Sequence, residues 1–319
     1  MNISFVIPVY NEEESLKQLY QEIISAIGTR SYEIIFVDDG SRDNSFSILS
    51  ELAAGDANVR VIRFRRNFGK ASALQYAFSI AQGEYICTMD ADLQDDPAEL
   101  PKFFAAMNNG FEVVSGWKQH RKDPLYKTLP SLIFNAVTTS TFGLKLRDYN
   151  CGFKLYQRAV VKEIMLYGEM HRFIPALADA LGYKVGEIPV NHRPRIYGQS
   201  KYGLERYLRG FFDLLTVKVV TQYIRSPLYL FGRVGIVSAI LGLIITVYLS
   251  LMKLLYHHPL TNRPLLFLGI LLIIAGIQFF SMGLICEIIV NRSQRFNNDN
   301  ISIKQTINYL EQKNRDRQA

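Results

Sequence analysis

Cysteine is scarce in this 319-residue chain: Cys87, Cys151 and Cys286 stand far apart. An odd count without metal-ligand spacing excludes a disulfide framework and fits buried thiols in a reducing compartment. No G-x-G-x-x-G follows the first apolar run, and no G-x-x-x-x-G-K-[ST] occurs anywhere, so dinucleotide-binding and P-loop readings lose their main support. The start, MNISFVIPVYNEEE, lacks a basic region and turns acidic before any long apolar stretch. That argues against a signal peptide and for an amino-terminal domain that is not exported.

Acidic charge is in deficit, with a formal net charge of +7. Nucleic acid is one partner such a balance suits, and residues 60–70, RVIRFRRNFGK, form the candidate patch. Anionic lipid is the other, and it is favoured, because the composition turns apolar near residue 226. Residues 229–251 and 265–290 each exceed the roughly 20 residues that cross a hydrocarbon layer. Basic residues Lys218, Arg225, Arg233, Arg292 and Arg295 flank the pair from outside, while the joining loop carries only Lys253 and Arg263. Both termini are therefore expected in the cytoplasm, with the protein integral to the cytoplasmic membrane.

Before the spans, β-rich runs at residues 4–9, 33–38, 59–64 and 84–89 alternate with helical periodicity at 12–27, 43–54 and 69–81. Such alternation predicts an α/β domain with a largely parallel sheet, whose ligands sit beyond the carboxyl ends of the strands. Asn11, with Glu14 three residues on, reads as the N-cap of the first helix. The first, second and fourth strands end in PVYNE, DDGS and DADLQ, three polar loops facing one crevice.

Asp90, Asp92 and Gln94 alternate after the fourth strand, so an extended chain places three oxygen donors on one side. Hard cations such as Mg²⁺ or Mn²⁺ take such donors and keep positions open for substrate phosphates. A D-x-D triplet alone is weak, and Asp-rich text also makes turns: Asp96, Pro97 and Glu99 read as N-cap, first helical residue and capping-box partner. The turn reading covers Asp96 but not Asp90. Asp39 can bond a base or ribose, or simply make an Asx turn with Gly40 and Ser41.

The set PVYNE (8–12), VDDGS (37–41), RNFGK (66–70), DADLQ (90–94) and RIYGQSKY (195–202), followed by two spans, resembles the family-2 glycosyltransferases that load sugars onto polyprenyl phosphate. The bactoprenol glucosyltransferases and dolichol-phosphate mannose synthases are of this type. The resemblance covers nearly the whole chain. It implies a glycosyltransferase A-type, Rossmann-like fold with Asp90, Asp92 and Gln94 around Mg²⁺ or Mn²⁺. It also implies that Pro8, Tyr10, Glu12, Asp39 and Lys70 contact the sugar-nucleotide donor, and that Arg195 and Lys201 grip phosphates from a loop hinged at Gly198. Lys118 or Arg121 supplies a further basic position, and Asp148 is either a base or a positioning group.

The chemistry is consistent with these residue types. A departing diphosphate gains negative charge, which a cation and basic side chains stabilise. A lipid phosphate, whose second pKa is about 6, is already an oxyanion near neutrality and needs no strong base. Inverting single displacement follows. UDP-glucose is the first choice of donor, with GDP-mannose and an aminoarabinose donor behind it. The basic group His192, Arg193, Arg195, Lys201 and Arg206 is either a solvated face near anionic lipid or a phosphate grip.

Four segments are expected: a catalytic domain (1–202), an interfacial amphipathic helix (203–226), two transmembrane helices (227–291) and a cytoplasmic tail (292–319). The apolar stretch 129–144 is a second lipid contact or plain core. Gly235, Gly242, Gly269, Gly276 and Gly283 offer close-approach sites for a homo-oligomer. Two spans are too few to carry a lipid-linked sugar across, so a separate flippase is expected. A processive polysaccharide synthase is the rival enzyme, but its Q-x-x-R-W motif is missing, the only tryptophan being Trp117. A non-catalytic membrane-tethered sugar-nucleotide binder is the rival from another class.

Overall fold

The structure, a computed structural model, describes residues 2–118, 138–139, 142–166, 168, 170–194, 216–218, 226–256 and 264–296. The chain divides into two compact units, residues 1–217 and 218–319.

In the first unit the strands are β1 (Ile3–Val9), β2 (Tyr32–Asp38), β3 (Val59–Arg63), β4 (Tyr85–Thr88), β5 (Val113–Lys118), β6 (Lys154–Gln157) and β7 (Val185–Val190). Between them lie α1 (Leu16–Ile27), α2 (Ser45–Gly55), α3 (Lys70–Ile80), α4 (Leu100–Asn108), α5 (Arg158–Glu163) and α6 (Ile174–Ala180), with 3₁₀ turns at Pro97–Glu99 and Met170–Phe173. The seven strands form one sheet in the order β3-β2-β1-β4-β6-β5-β7. β1, β2, β3 and β4 pair in parallel, as do β5 and β7, whereas β6 runs antiparallel to both β4 and β5.

β1 reads ISFVIPV and is buried almost throughout, because helices cover both faces of a crossover-connected sheet. Its Ile3, Phe5, Ile7 and Val9 pack with Leu16, Leu19 and Ile23 of α1 and with Leu100 and Phe103 of α4. Alternate residues such as Val6 face away from that cluster, as a period of two requires. α3 shows its small, apolar side, with Ala71, Ala73, Leu74, Ala77 and Phe78 all buried.

Two expectations for local structure are corrected. α1 starts at Leu16 with Ser15 before it, not at Asn11. Asn11 takes a left-handed φ of 53°, and its side-chain oxygen accepts from the Arg42 backbone N–H at 2.8 Å, so it ties two loops instead of capping a helix. Asp96 does cap, accepting from Ala98 N at 3.0 Å, but Glu99 pairs with Lys102.

The second unit contains α7 (Pro227–Tyr256) and α8 (Pro264–Phe296), both long and apolar enough to cross a membrane, over Pro227–Tyr256 and Pro264–Val290. They pack on each other through the glycines named above. A Cβ on Gly235 would meet the Gly276 carbonyl at 2.7 Å, and one on Gly242 would meet the Gly269 carbonyl at 2.5 Å. Those positions bring the two helices of one chain together, so they are not left open for a second copy. The Leu228 N–H donates to Glu287 Oε2 at 3.2 Å, and Ser238 Oγ to the Leu272 carbonyl at 2.9 Å. Both satisfy polar groups within the pair.

Candidate active site

The carboxyl edge of the sheet collects the chemistry. β1, β2, β4 and β5 end there, and β6, because it is reversed, begins there, which brings residues 148–154 beside the end of β4. Thr88 Oγ1 donates to the Gly152 carbonyl at 2.8 Å across this junction.

On the β1–β3 side lies an open cleft of about 640 Å³, lined by Tyr10, Gly40, Ser41, Arg42, Arg65 and Arg66 among others. Asp38 and Asp39, which precede the lining residue Gly40, divide the labour. Asp38 Oδ1 accepts from Ser41 N at 2.8 Å, making the turn that was one of the two readings of Asp39. Asp39 instead accepts from Phe68 N at 2.7 Å and Gly69 N at 2.9 Å, pinning the loop before α3. Burial raises the Asp39 carboxyl above its ordinary value, and these two bonds offset it only in part. Gly40 has φ 73°, and a Cβ there would come within 2.6 Å of the Arg66 backbone, so glycine lets the two loops touch. Pro8 lies within β1 opposite Val37, and the Glu12 N–H donates to Ser45 Oγ at 2.9 Å.

Asp90, Asp92 and Gln94 occupy the loop after β4. Ser15 Oγ at the head of α1 donates to the Ala91 carbonyl at 2.6 Å, and Leu93 takes a left-handed φ of 60°, so the loop is held from outside and bent from within. The Lys70 ammonium, at the start of α3, bonds Asp90 Oδ1 directly. Burial alone would push the Asp90 carboxyl up, but Lys70, with lesser help from Lys118 and His171, holds it well below the usual range. Asp92 is buried and accepts from Gln94 N at 3.2 Å.

Gln94 has a second role. Its backbone carbonyl accepts from Arg193 N at 2.9 Å, its side-chain nitrogen reaches the Arg193 carbonyl at 3.4 Å, and Asp95 bridges to His192. The Asp-rich loop is thus laced to the segment that follows β7. Arg193 itself binds Glu22 Oε2 at 2.6 Å and Asp96 Oδ1 at 2.8 Å, which makes it a tie between elements, a role neither reading of the basic group had given it. Arg121, Arg195, Lys201 and Arg206 lie outside the described residues, as do most of 129–144 and 203–226.

Lys118 closes β5 within the electrostatic reach of Asp95, Asp148 and Asp90; burial works against its charge, yet these carboxylates raise its pKa. Asp148 is buried and accepts from Asn150 N at 3.0 Å. Glu187 of β7 accepts from the Arg147 and Asp148 backbone N–H groups at 2.9 Å, fixing where Asp148 sits. Asp95 was missed by sequence reasoning. Burial first, with Asp90 and Asp92 adding to it, pushes its carboxyl up to about 6. Lys154, His171, Arg172 and Gly152 were also missed. Only the glycine left a signal, in RDYNCGFKLY: a Cβ on Gly152 would stand 2.7 Å from the Asp90 carboxylate carbon.

A divalent cation fits this arrangement. Among the described residues no three His, Cys, Asp or Glu side chains gather as a metal cage. Two carboxylates from Asp90 and Asp92, completed by substrate oxygens and water, is the way magnesium-like ions are commonly held beside phosphates.

A doubly covered α/β sheet with an open cleft and an acidic strand end at its carboxyl edge is the architecture of the glycosyltransferase A type. Residues 4–165 match the model of glycosyl transferase family 2, and the chain belongs to that family. Dodecaprenyl-phosphate galacturonate synthase of Rhizobium johnstonii is 33% identical over 302 residues, covering 92% of this chain and 89% of that protein. Undecaprenyl-phosphate 4-deoxy-4-formamido-L-arabinose transferase of Proteus mirabilis is 37% identical over 291 residues, covering 90% and 88%. Among solved structures, glucosyl-3-phosphoglycerate synthase from Mycobacterium tuberculosis with Mn²⁺, uridine diphosphate and phosphoglyceric acid shares the fold at a TM-score of 0.53 and 17% identity, over 69% of this chain and 78% of that one.

Proposed function

We propose that the protein transfers one glycosyl unit from a nucleoside diphosphate sugar to polyprenyl phosphate at the cytoplasmic face of the membrane, with inversion at the anomeric carbon. The observation that carries this reading is the Asp90–Asp92 loop, braced by Lys70 and set on the sheet's carboxyl edge, in a chain that also has two membrane-length helices.

The nucleoside lies in the cleft by Tyr10 and Asp39, and the diphosphate reaches the end of β4. A bound Mg²⁺ or Mn²⁺, held by Asp90 and Asp92 with Gln94 at the rim, supplies positive charge to the leaving diphosphate. Lys118, Arg121, Arg195 and Lys201 add to that charge from the protein. An oxygen of the acceptor phosphate forms the new bond to the anomeric carbon as the bond to the diphosphate breaks, and the nucleoside diphosphate leaves with the electron pair. Because the attacking oxygen is already ionised, Asp148 serves to position cationic groups, and no carboxylate has to remove a proton.

Both termini are cytoplasmic, and a separate flippase moves the product across. Purified protein, undecaprenyl phosphate, Mg²⁺ and labelled UDP-glucose, UDP-galacturonate, GDP-mannose and formamido-arabinose donors test the reaction. Label extractable with lipid is expected from one donor. Lipid free of label with every donor overturns the reading. A product retaining the donor's anomeric configuration overturns the single displacement.

A further inference from the structure

Lys154 opens β6 opposite Thr88, the last residue of β4, at the carboxyl edge of the sheet. It is 3% exposed, and its ammonium turns back into the loop that precedes it, donating to the Cys151 carbonyl and, at 3.4 Å, to the Tyr149 carbonyl. A compact head with several donors on a flexible stem suits two main-chain oxygens at once. A charge taken out of water and given neutral partners is costly, so Lys154 sits there against its own solvation.

Gly152 lies within the stretch that Lys154 holds. Its carbonyl accepts from Thr88 Oγ1 at 2.8 Å, and the Phe153 carbonyl accepts from Gly116 N at 2.9 Å. The carbonyls at 149, 151, 152 and 153 are thus fixed by residues of β4, β5 and β6 together. What this fixed loop presents to the active site is the bare face of Gly152. A Cβ there would stand 2.7 Å from Cγ, 2.7 Å from Oδ2 and 2.8 Å from Oδ1 of Asp90, nearly equal distances that put the glycine over the plane of the carboxylate. The Lys70 ammonium bonds Oδ1 of the same group. Any shift of the main chain at 152 therefore turns or displaces the Asp90 carboxylate.

We propose that Lys154 is a positioning residue for transfer: it clamps the main chain around Gly152 and, through that glycine, sets the orientation of the Asp90 carboxylate. This rests on the role proposed above for Asp90 and adds a residue to it.

Steady-state transfer is measured on full-length protein in detergent micelles, with the donor that labels lipid in the assay above. Lys154→Met, of similar length and without charge, is expected to lower kcat about tenfold or more while KM for donor and for polyprenyl phosphate stays within about twofold. Lys154→Arg, which keeps the charge and the donors, is expected to recover part of that loss. Added to Gly152→Ala, Lys154→Met is expected to cost little beyond the glycine variant alone, because both act on one contact.

Two native thiols supply a readout apart from activity. Cys151 sits in the clamped loop and Cys87 in β4, and both are buried. In Lys154→Met a thiol reagent, read by mass spectrometry, is expected to label Cys151 about tenfold faster and Cys87 at its former rate, since only the loop is released.

Undiminished kcat in Lys154→Met overturns the inference, as does full multiplication of the two losses in the double variant. Equal acceleration at both cysteines, or failure of both the Met and the Arg variants to fold, assigns Lys154 to the stability of the whole domain and overturns it too. A raised KM for polyprenyl phosphate with Cys151 still protected assigns Lys154 to the acceptor, again against the inference. Unaltered protein that moves no label to lipid refutes the transferase reading, and the clamp is then judged on Cys151 alone.

Discussion

Gly152 stands against Asp90 so closely that a Cβ on it would lie 2.7 Å from the carboxylate carbon and 2.7 Å from Oδ2. The glycine belongs to the loop before β6 and the aspartate to the loop after β4, so the contact joins two stretches 62 residues apart and sets where the carboxylate sits. Gly152→Ala is expected to displace Asp90 and lower kcat/KM by about a hundredfold, the scale of an ångström's misplacement at a reacting centre. Steady-state transfer kinetics beside an unchanged circular dichroism spectrum check it.

Asp90→Asn removes the charge paired with the Lys70 ammonium, and both Asp90→Asn and Asp92→Asn remove a charge proposed to hold the cation. Each is expected to cut transfer by about a thousandfold. Addition of a chelator to the unaltered protein is expected to do the same, with recovery on adding excess Mg²⁺ or Mn²⁺. Undiminished label in the lipid after both treatments contradicts this role.

Arg193 joins α1 to the cap of the 3₁₀ turn before α4 through Glu22 and Asp96 while its backbone holds Gln94. The side chain is partly exposed, so solvent screens both pairs and Arg193→Ala costs about 1 kcal/mol of stability. A shift in melting temperature of a few degrees measures that. The larger consequence is expected in donor KM, because the Asp-rich loop loses one of its ties.

In the membrane pair, Gly242→Leu would force the two helices apart at the Gly269 carbonyl. A loss of about 1 to 3 kcal/mol is expected, as for overpacking elsewhere. Thermal unfolding in detergent reports it.

Asp56 gives the fold a dependence on acid. It accepts from Tyr20 Oη at 3.0 Å, Tyr32 Oη at 2.8 Å and Asn58 N at 2.9 Å. Burial works to raise its pKa, but these bonds outweigh it and the net shift is downward. A carboxyl lowered in the folded state contributes stability that is complete above the unfolded value, about 4, and disappears as pH falls through the folded value. Melting temperatures between pH 5 and pH 2 should therefore fall less steeply for Asp56→Asn than for the unaltered chain.

The parallel half of the sheet was legible because β1, β2 and β4 are apolar runs closed by polar loops, and the span pair because two apolar stretches admit little else. Beyond residue 110 the signal thins. β6 is the four-residue run KLYQ, opening with a buried lysine whose charge is answered only by the folded chain, and β7 carries Pro189 and Glu187 in its middle. Neither has the alternation or apolarity that marks a strand. Asp90 and Asp92 stood out by spacing, whereas Lys154, His171 and Arg172 come from separate elements that meet only once β6 has reversed. Arg193 was left open between a lipid-facing and a phosphate-binding reading for a related reason: its partner Glu22 lies 171 residues away in sequence.

That single reversed strand separates two tasks along the chain. Among the described residues the open cleft is lined by positions before 95, and the wall beside the end of β4 comes mostly from positions after 148. Exchange of the later stretch between relatives should therefore retarget the cargo while leaving the carrier nucleotide unchanged, so diversification of this fold can proceed by altering one half at a time.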